Sequence, residues 1–275
     1  MKNPRIPITD DHIHIDPQNG RGLEAAKDFL RSGGTHLFLV SKPSSSFGIS
    51  PRTGDEFRLL FDETVSVAVQ IRKLGLSVFV VLGVHPAEIS RLSGQYPLDQ
   101  VISVMKRGLD IAGEYVSEGT AVALKSGRPH YVITPDVLDA SNEVLSHAFT
   151  LAADLGCAVQ VHAESNPCAD MVAMAERAGL SPLRVVKHYA TPDTPLIPSL
   201  IATHPAIPEL AASGRQFTLE SDYMDENSRP GAVIGPKSVP RATFRLLADG
   251  VITITDAQRI HKDTPERVYG VEISL

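Results

Sequence analysis

The sequence predicts an α/β fold, a single (β/α)8 TIM barrel. Three observations favour this fold. Short apolar runs typical of β-strands alternate with longer amphipathic runs along all 275 residues. No linker or low-complexity stretch interrupts the alternation, so we expect one domain over residues 1–275. Glycines such as Gly33, Gly75 and Gly156 follow the helical runs, where they suit a helix end before a strand.

Eight strands are predicted, each followed by a helix. In chain order the strands cover residues 8–15, 35–40, 77–84, 121–125, 158–162, 184–188, 199–202 and 216–220. The helical patterns cover residues 23–32, 55–74, 98–115, 136–155, 168–178 and 206–213, and after the last strand 240–248, 256–261 and 265–269. An open doubly wound sheet is the alternative, but no glycine-rich phosphate loop follows the first strand.

The composition limits the class of protein. A net charge of −6 disfavours a protein that coats nucleic acid with a basic surface. Two cysteines, Cys157 and Cys168, are too few for a disulfide scaffold. Neither a signal peptide nor an apolar stretch of about 18 residues is found, so we expect a cytoplasmic protein with no membrane association.

Polar residues close several of the predicted strands. In a parallel barrel the chemistry lies at the carboxyl ends of the strands. The first strand ends in "DDHIHID", and His12 and His14, two residues apart, point to the same face. Strands five and six end at His162 and His188, and Asp222 follows strand eight. Each of these could alone be a solvated strand end, but together they form the set of imidazoles and a carboxylate that a divalent metal prefers.

These residues resemble the metal ligands of the amidohydrolase superfamily. Within it, the first strand, the "GVHPAE" of residues 83–88 and the "LESDY" of residues 219–223 resemble the TatD-like metal-dependent hydrolases. The resemblance spans essentially the whole chain, down to "TPERVYG" near the C-terminus. "GRPHY" after strand four is similar to a TatD-related subgroup rather than to the bacterial nucleases.

Lys125 departs from the TatD-like pattern. Those enzymes usually carry a glutamate at this position that bridges two metals, and an ammonium there would repel both. Burial lowers a lysine pKa and favours the neutral amine, which can add carbon dioxide to form an anionic carbamate. The phosphotriesterase and lactonase branch of the superfamily uses such a carboxylated lysine. We therefore expect Lys125 to be carboxylated; the alternative is an ordinary lysine paired with a carboxylate beside a one-metal or empty site.

The resemblance implies a role for each residue. His12, His14 and Asp222 would hold the more buried metal, His162 and His188 the second, and Lys125 would bridge the two. Zinc suits this set best, and manganese or cobalt would also fit. Asp222 would in addition be the catalytic proton acceptor. Substrate-binding candidates are His85, Arg128 and His130, with Arg229 and Lys237 in a segment after strand eight that is either a substrate loop or solvated surface.

The function predicted is that of a dinuclear metal hydrolase whose metal-bound hydroxide attacks a phosphoester, carboxylic ester or lactone. Only 5% of residues are aromatic and none is tryptophan, which disfavours a broad base-stacking surface and favours a small substrate. A TatD-like deoxyribonuclease and a non-catalytic metal-binding barrel are the alternatives. A PHP-type phosphoesterase is disfavoured, because Tyr223 and Met224 follow Asp222 where that family has Asp-x-His. A homo-oligomer is left open.

Overall fold

The computed structural model describes residues 5–229 and 233–275. They form an α/β fold with one nine-stranded parallel sheet in the order β8-β7-β6-β5-β4-β3-β2-β1-β9. Its strands are β1 Thr9–His14, β2 His36–Val40, β3 Ser77–Gly83, β4 Ala123–Gly127, β5 Ala158–His162, β6 Val185–Lys187, β7 Ile197–Ile201, β8 Thr218–Glu220 and β9 Tyr223–Met224.

The sheet curls so that the end of β8 lies beside β1. The backbone N–H of Asp222 donates to the carbonyl oxygen of His12 at 3.0 Å, and the Thr218 hydroxyl donates to the Asp11 carboxylate at 2.9 Å. This curl is consistent with a TIM-like barrel. The expected count of eight strands differs from the nine observed, because the two-residue strand β9 pairs with β1 through Ile13 and His14. Two residues are too few to give a period in the sequence.

Ten α-helices accompany the strands in the described residues. They are α1 Leu23–Arg31, α2 Phe57–Arg72, α3 Ala87–Ser93, α4 Leu98–Ser117, α5 Pro135–Leu155, α6 Asp170–Arg177, α7 Ile207–Ala212, α8 Ser238–Ala248, α9 Ile254–Gln258 and α10 Thr264–Tyr269. Within the described ranges, none of them is both long enough and apolar enough to cross a bilayer.

Two features of the helix pattern differ from the sequence prediction. Between β6 and β7 the described chain has a loop and no α-helix; no helical pattern was found in this stretch of the sequence, and the general expectation of a helix after every strand is wrong there. Pro192 and Pro195 lie in this loop, and proline removes a helical hydrogen bond and clashes with the preceding turn. Helix α3, in turn, was not predicted, because its seven residues cover barely two turns of an amphipathic pattern.

Buried apolar side chains line both faces of the sheet. One cluster lies between the strands and the outer helices, with Phe61 and Phe149 among its largest members. A second cluster, which includes Phe38, Val186 and Tyr269, joins residues of facing strands with the C-terminal helix α10. Strand β2 is buried at all five positions, and after His36 it has the continuous apolar sequence that parallel sheets covered on both sides require.

Gly127, at the end of β4, allows the close approach of β5. Its φ is +149°, and a Cβ atom there would lie 1.8 Å from the carbonyl oxygen of His162. Only glycine tolerates both the backbone angle and the contact. Gly127 pairs with His162 and Lys125 pairs with Gln160, so this glycine lets the polar ends of the two strands lie side by side.

A buried polar network ties the loop after β1 to the segment after β9. The Asp225 carboxylate accepts hydrogen bonds from the backbone N–H groups of Asp16, Arg21 and Gly22 at 2.7–3.0 Å. The amine of Lys42 donates to the Asp16 carboxylate at 2.7 Å and to the Asp225 carbonyl at 3.1 Å. Each donor has an acceptor, so the two loops at this end of the sheet are fixed relative to one another.

Asp225→Ala is expected to lower the free energy of unfolding by about 2–4 kcal/mol, because it leaves several buried N–H donors without an acceptor. Denaturation in urea measures the change, with the exposed Asp139→Ala as the matched control. A loss no larger than that of the control would show that the loops are not held through Asp225.

Candidate metal centre

All six predicted metal ligands line one cleft of about 620 Å³ at the carboxyl ends of the strands. His12 and His14 lie on β1, Lys125 on β4, and His162 on β5. His188 directly follows β6, and Asp222 lies between β8 and β9. Strand ends far apart in the sequence therefore meet at one place. That these residues bind metal remains a prediction.

The two histidines of β1 turn the same nitrogen toward each other, with 3.2 Å between the two Nε2 atoms. The Nδ1 of His14 donates to the carbonyl oxygen of Val40 at 2.8 Å, and the Nδ1 of His12 donates to the Oε1 of Gln160 at 2.8 Å. The Gln160 amide nitrogen donates to the Asp11 carbonyl and the Tyr269 hydroxyl, which fixes its oxygen as the acceptor. The hydrogen-bond network thus places the proton of each ring on Nδ1.

Both facing Nε2 atoms are therefore unprotonated lone-pair donors. Burial lowers the pKa of His14 to about 3 and that of His12 well below its ordinary value, so neither ring gains a second proton near neutral pH. Two ligand nitrogens on one tetrahedral zinc ion, each about 2.0–2.1 Å from it, are about 3.3 Å apart. The observed separation fits a shared cation, and the Nδ1 bonds fix the ring orientation as they do at metal sites.

His162 and His188 form a second pair, with 2.8 Å between the Nδ1 of His162 and the Nε2 of His188. The ring of His188 stacks on that of His12 with the centroids 4.1 Å apart, so the two pairs adjoin. In the described residues, ligand atoms of His12, His188 and Asp222 lie within 4.8 Å of one another. The two pairs and the carboxylate form one continuous set of donors.

Lys125 lies in this set, with its Nζ 3.3 Å from the Nε2 of His12. Its side chain is buried, and burial lowers the pKa of the amine from 10.5 to about 7, against the opposing effect of Asp222 and other carboxylates. Burial also raises the pKa of Asp222 to about 6, with Lys125 acting in the opposite direction. Burial therefore favours the neutral form of the Lys125 amine.

Of the predicted substrate-binding residues, His85 and His130 line the cleft. His130 Nδ1 lies 2.7 Å from the Nε2 of His162, so it also contacts a predicted ligand. Arg128 points elsewhere: its guanidinium bonds the carboxylates of Glu164 and Asp170 at 2.6–2.7 Å. Arg128 is not among the residues that line the cleft, so these salt bridges do not support the substrate role that the sequence indicated, which stays a prediction.

Arg229 and Lys237, the two substrate-binding candidates in the segment after β9, have different surroundings. Arg229 lines the cleft, whereas the amine of Lys237 lies 3.1 Å from the Asp28 carboxylate on α1. Lys237 therefore has a partner outside the cleft, and only Arg229 is placed to meet a ligand.

Sequence reasoning missed Gln160 and Glu220. Gln160 fixes the tautomer of His12, and the Oε1 of the buried Glu220 lies 3.6 Å from the Nδ1 of His188. Gln160 lies two residues before the predicted ligand His162 on β5, and residues two apart on a strand share a face. This period could have found Gln160, but Asp222 lies beyond the end of β8, so the period gives no signal for Glu220.

Comparisons with known proteins agree with this architecture. A family model described as TatD related DNase matches residues 9–270. The uncharacterized protein MJ1127 of Methanocaldococcus jannaschii is 33% identical over 98% of each chain.

Among solved structures, this chain aligns with the phosphotriesterase homology protein of Escherichia coli, complexed with phosphate in its active site. The TM-score is 0.65 at 12% identity, and the alignment covers 97% of this chain and 99% of that one. The lactonase Lmo2620 of Listeria monocytogenes aligns with a TM-score of 0.62 at 14% identity, covering 96% and 95%. At these identities the structural similarity shows a shared fold and nothing more.

The family match, together with the fold, supports a metal-dependent hydrolase. Since the family model covers nearly the whole chain, the chain belongs to the TatD-related DNase family.

Proposed function

We propose that this chain closes as a single-domain (β/α)8 barrel and hydrolyses an ester-type bond of a small substrate at a dinuclear metal centre. The observation that carries the metal site is the pair of unprotonated Nε2 atoms of His12 and His14, 3.2 Å apart. The Lys125 amine, 3.3 Å from the Nε2 of His12, can satisfy one of these buried lone pairs, and a divalent cation held by both rings would satisfy the two together. His12, His14 and Asp222 would hold one ion, and His162 and His188 the other.

Lys125 is proposed to bridge the two ions as a carbamate. Its Nζ lies within 3.3 Å of a proposed ligand atom, and burial gives it the neutral amine that adds carbon dioxide. The bond formed joins Nζ to the carbon of carbon dioxide, and the amine proton leaves to solvent. The carbamate is anionic and offers two oxygens, which suits a position between cations better than an ammonium.

Divalent metals supply a water nucleophile of lowered pKa and polarise the bond that is cleaved, with zinc favoured by the imidazole donors and manganese or cobalt as substitutes. The residues of the chain transfer the proton and bind the substrate. Asp222, a carboxylate at the edge of the proposed metal site, accepts the proton of the attacking water. His85 and His130 line the cleft where they can donate to substrate oxygens.

A TatD-like deoxyribonuclease is the second candidate, and the observation that favours it is the family match. The net charge of −6 and the low aromatic content favour the small substrate.

The experiment that tests the proposal is metal analysis of protein purified without chelators, followed by assays on phosphodiesters, phosphomonoesters, lactones, aryl esters and single-stranded DNA. Two divalent ions per chain and turnover of a small ester are the expected results. Turnover of DNA alone would replace the proposal with the nuclease, and bound metal without any turnover would indicate a binding barrel.

Asp222→Asn is expected to lower kcat by about 100-fold or more while most of the bound metal is retained. The amide keeps an oxygen donor but cannot accept the proton. Steady-state kinetics at saturating zinc, with elemental analysis of the same samples, separate the two effects. Unchanged turnover would show that the proton passes to another group.

A further inference from the structure

Tyr189, directly after the proposed ligand His188, has an unusual backbone conformation. In residues 5–229 and 233–275, three residues other than glycine have a positive φ: Cys168, Tyr189 and Asp222. For Tyr189 the angle is +50°, in the left-handed region that a bulky side chain rarely adopts. Such strain persists only where surrounding contacts impose it, and it concentrates at functional sites.

One buried carboxylate imposes this conformation. The Oε1 of Glu220 accepts the backbone N–H of Tyr189 at 2.7 Å, and the same oxygen lies 3.6 Å from the Nδ1 of His188. Glu220 is 0% exposed, so it cannot turn to solvent instead. The hydrogen bond from Glu220 to the Tyr189 backbone therefore holds the direction of the Tyr189 side chain beside the cleft.

That direction leaves the tyrosine ring open to the cleft. Tyr189 lines the cleft and is nevertheless 53% exposed, so its ring contributes little to the core. Met224 and Val233, from the segment after β8, also line the cleft. A large exposed apolar ring next to metal-ligand candidates marks a surface available to a ligand.

We propose that Tyr189 is a specificity-determining residue, whose ring packs against an apolar aryl or alkyl group of the substrate. This inference rests on the proposed ester hydrolase and names its substrate class: esters or lactones that carry an apolar substituent. A nucleic-acid base could also stack on one tyrosine, but strand binding uses several aromatic platforms along a basic groove. The other aromatic rings lining the cleft are histidines, and the net charge is −6.

The test compares Tyr189→Ala and Tyr189→Phe with the wild-type protein. Alanine has a Cβ and meets the same backbone restriction as tyrosine, so it removes the ring without relieving the strain. Phenylalanine keeps the ring. Leu183→Ala is the matched control, because Leu183 is 57% exposed and precedes β6, at its opposite end. Zinc content is measured for all variants and is expected to be unchanged.

Two lactones of equal ring size are assayed, one unsubstituted and one with a hexyl chain. Tyr189→Ala is expected to lower kcat/KM for the hexyl lactone by about 10-fold or more, mainly through KM, and to change the unsubstituted one by less than about 3-fold. Tyr189→Phe and Leu183→Ala should behave like wild type. Equal losses on both lactones, or no loss on either, would overturn the assignment.

A binding experiment tests the inference without requiring turnover. Calorimetry on the zinc-loaded protein measures the affinity for hexanoate and for acetate, which share a carboxylate and differ in the chain. Wild type should prefer hexanoate, and Tyr189→Ala should lose that preference. If no lactone is hydrolysed, the proposed function fails while this difference still decides the role of Tyr189. If Tyr189→Ala kept the preference for hexanoate, the inference would be contradicted. It would also be contradicted if Tyr189→Ala lost affinity only for a short DNA strand measured in the same way.

Discussion

His12→Ala is expected to lower divalent-metal affinity by more than about 100-fold and hydrolysis by about 1000-fold or more. His12 contributes one of the two facing Nε2 atoms, contacts Lys125 and stacks on His188. Its loss should therefore affect both metal positions. Elemental analysis after dialysis and steady-state kinetics measure the two effects.

The fold should survive this change. Circular dichroism and thermal unfolding of the chelated proteins should show a native transition for His12→Ala, so that the lost activity is assigned to the metal. His147→Ala is the matched control, because His147 bonds Asp110 on a neighbouring helix and lies away from the cleft. Full metal occupancy in His12→Ala would remove His12 from the ligand set.

Lys125→Ala is expected to lose the second metal and nearly all activity, because it removes the bridging oxygens of the carbamate. Formate or acetate added to this variant should restore part of both, since a small carboxylate fits the vacated space and supplies the missing oxygens. Metal titrations and kinetics with and without the added acid measure the rescue. Lys73→Ala, which changes an exposed lysine, is the control and should not respond to the acid.

Two further substitutions at Lys125 distinguish a carbamate from a simple cation. Lys125→Glu should retain metal, because it supplies two anionic oxygens, although its shorter reach should slow the reaction. Lys125→Arg should not retain the second metal, because a guanidinium stays charged and cannot add carbon dioxide. If Lys125→Arg were fully active, an ordinary cation would be sufficient and the carbamate would be excluded.

Much of this site can be predicted from the sequence. The side chains that close apolar strands are visible in the chain, and parallel strands bring their carboxyl ends together. His12, His14, Lys125, His162, His188 and Asp222 are found in this way and do meet in one cleft.

What could not be predicted depends on contacts between distant residues. The tautomers of the β1 histidines depend on Gln160 and Val40. Arg128 lies in the expected loop, but its guanidinium bonds Glu164 and Asp170, from the next strand–helix unit. The conformation of Tyr189 depends on Glu220, more than 30 residues later. Strand β9 exists only through its pairing with β1.

The most direct test of the central claim is a high-resolution crystal structure of the zinc-loaded protein, with anomalous scattering measured at the zinc edge. The account predicts two anomalous peaks, one among His12, His14 and Asp222 and one beside His162 and His188. It also predicts three extra atoms beyond the Nζ of Lys125, with oxygens about 2.0–2.2 Å from the zinc ions. A bare Lys125 ammonium paired with a carboxylate, with no metal beside it, would contradict the account.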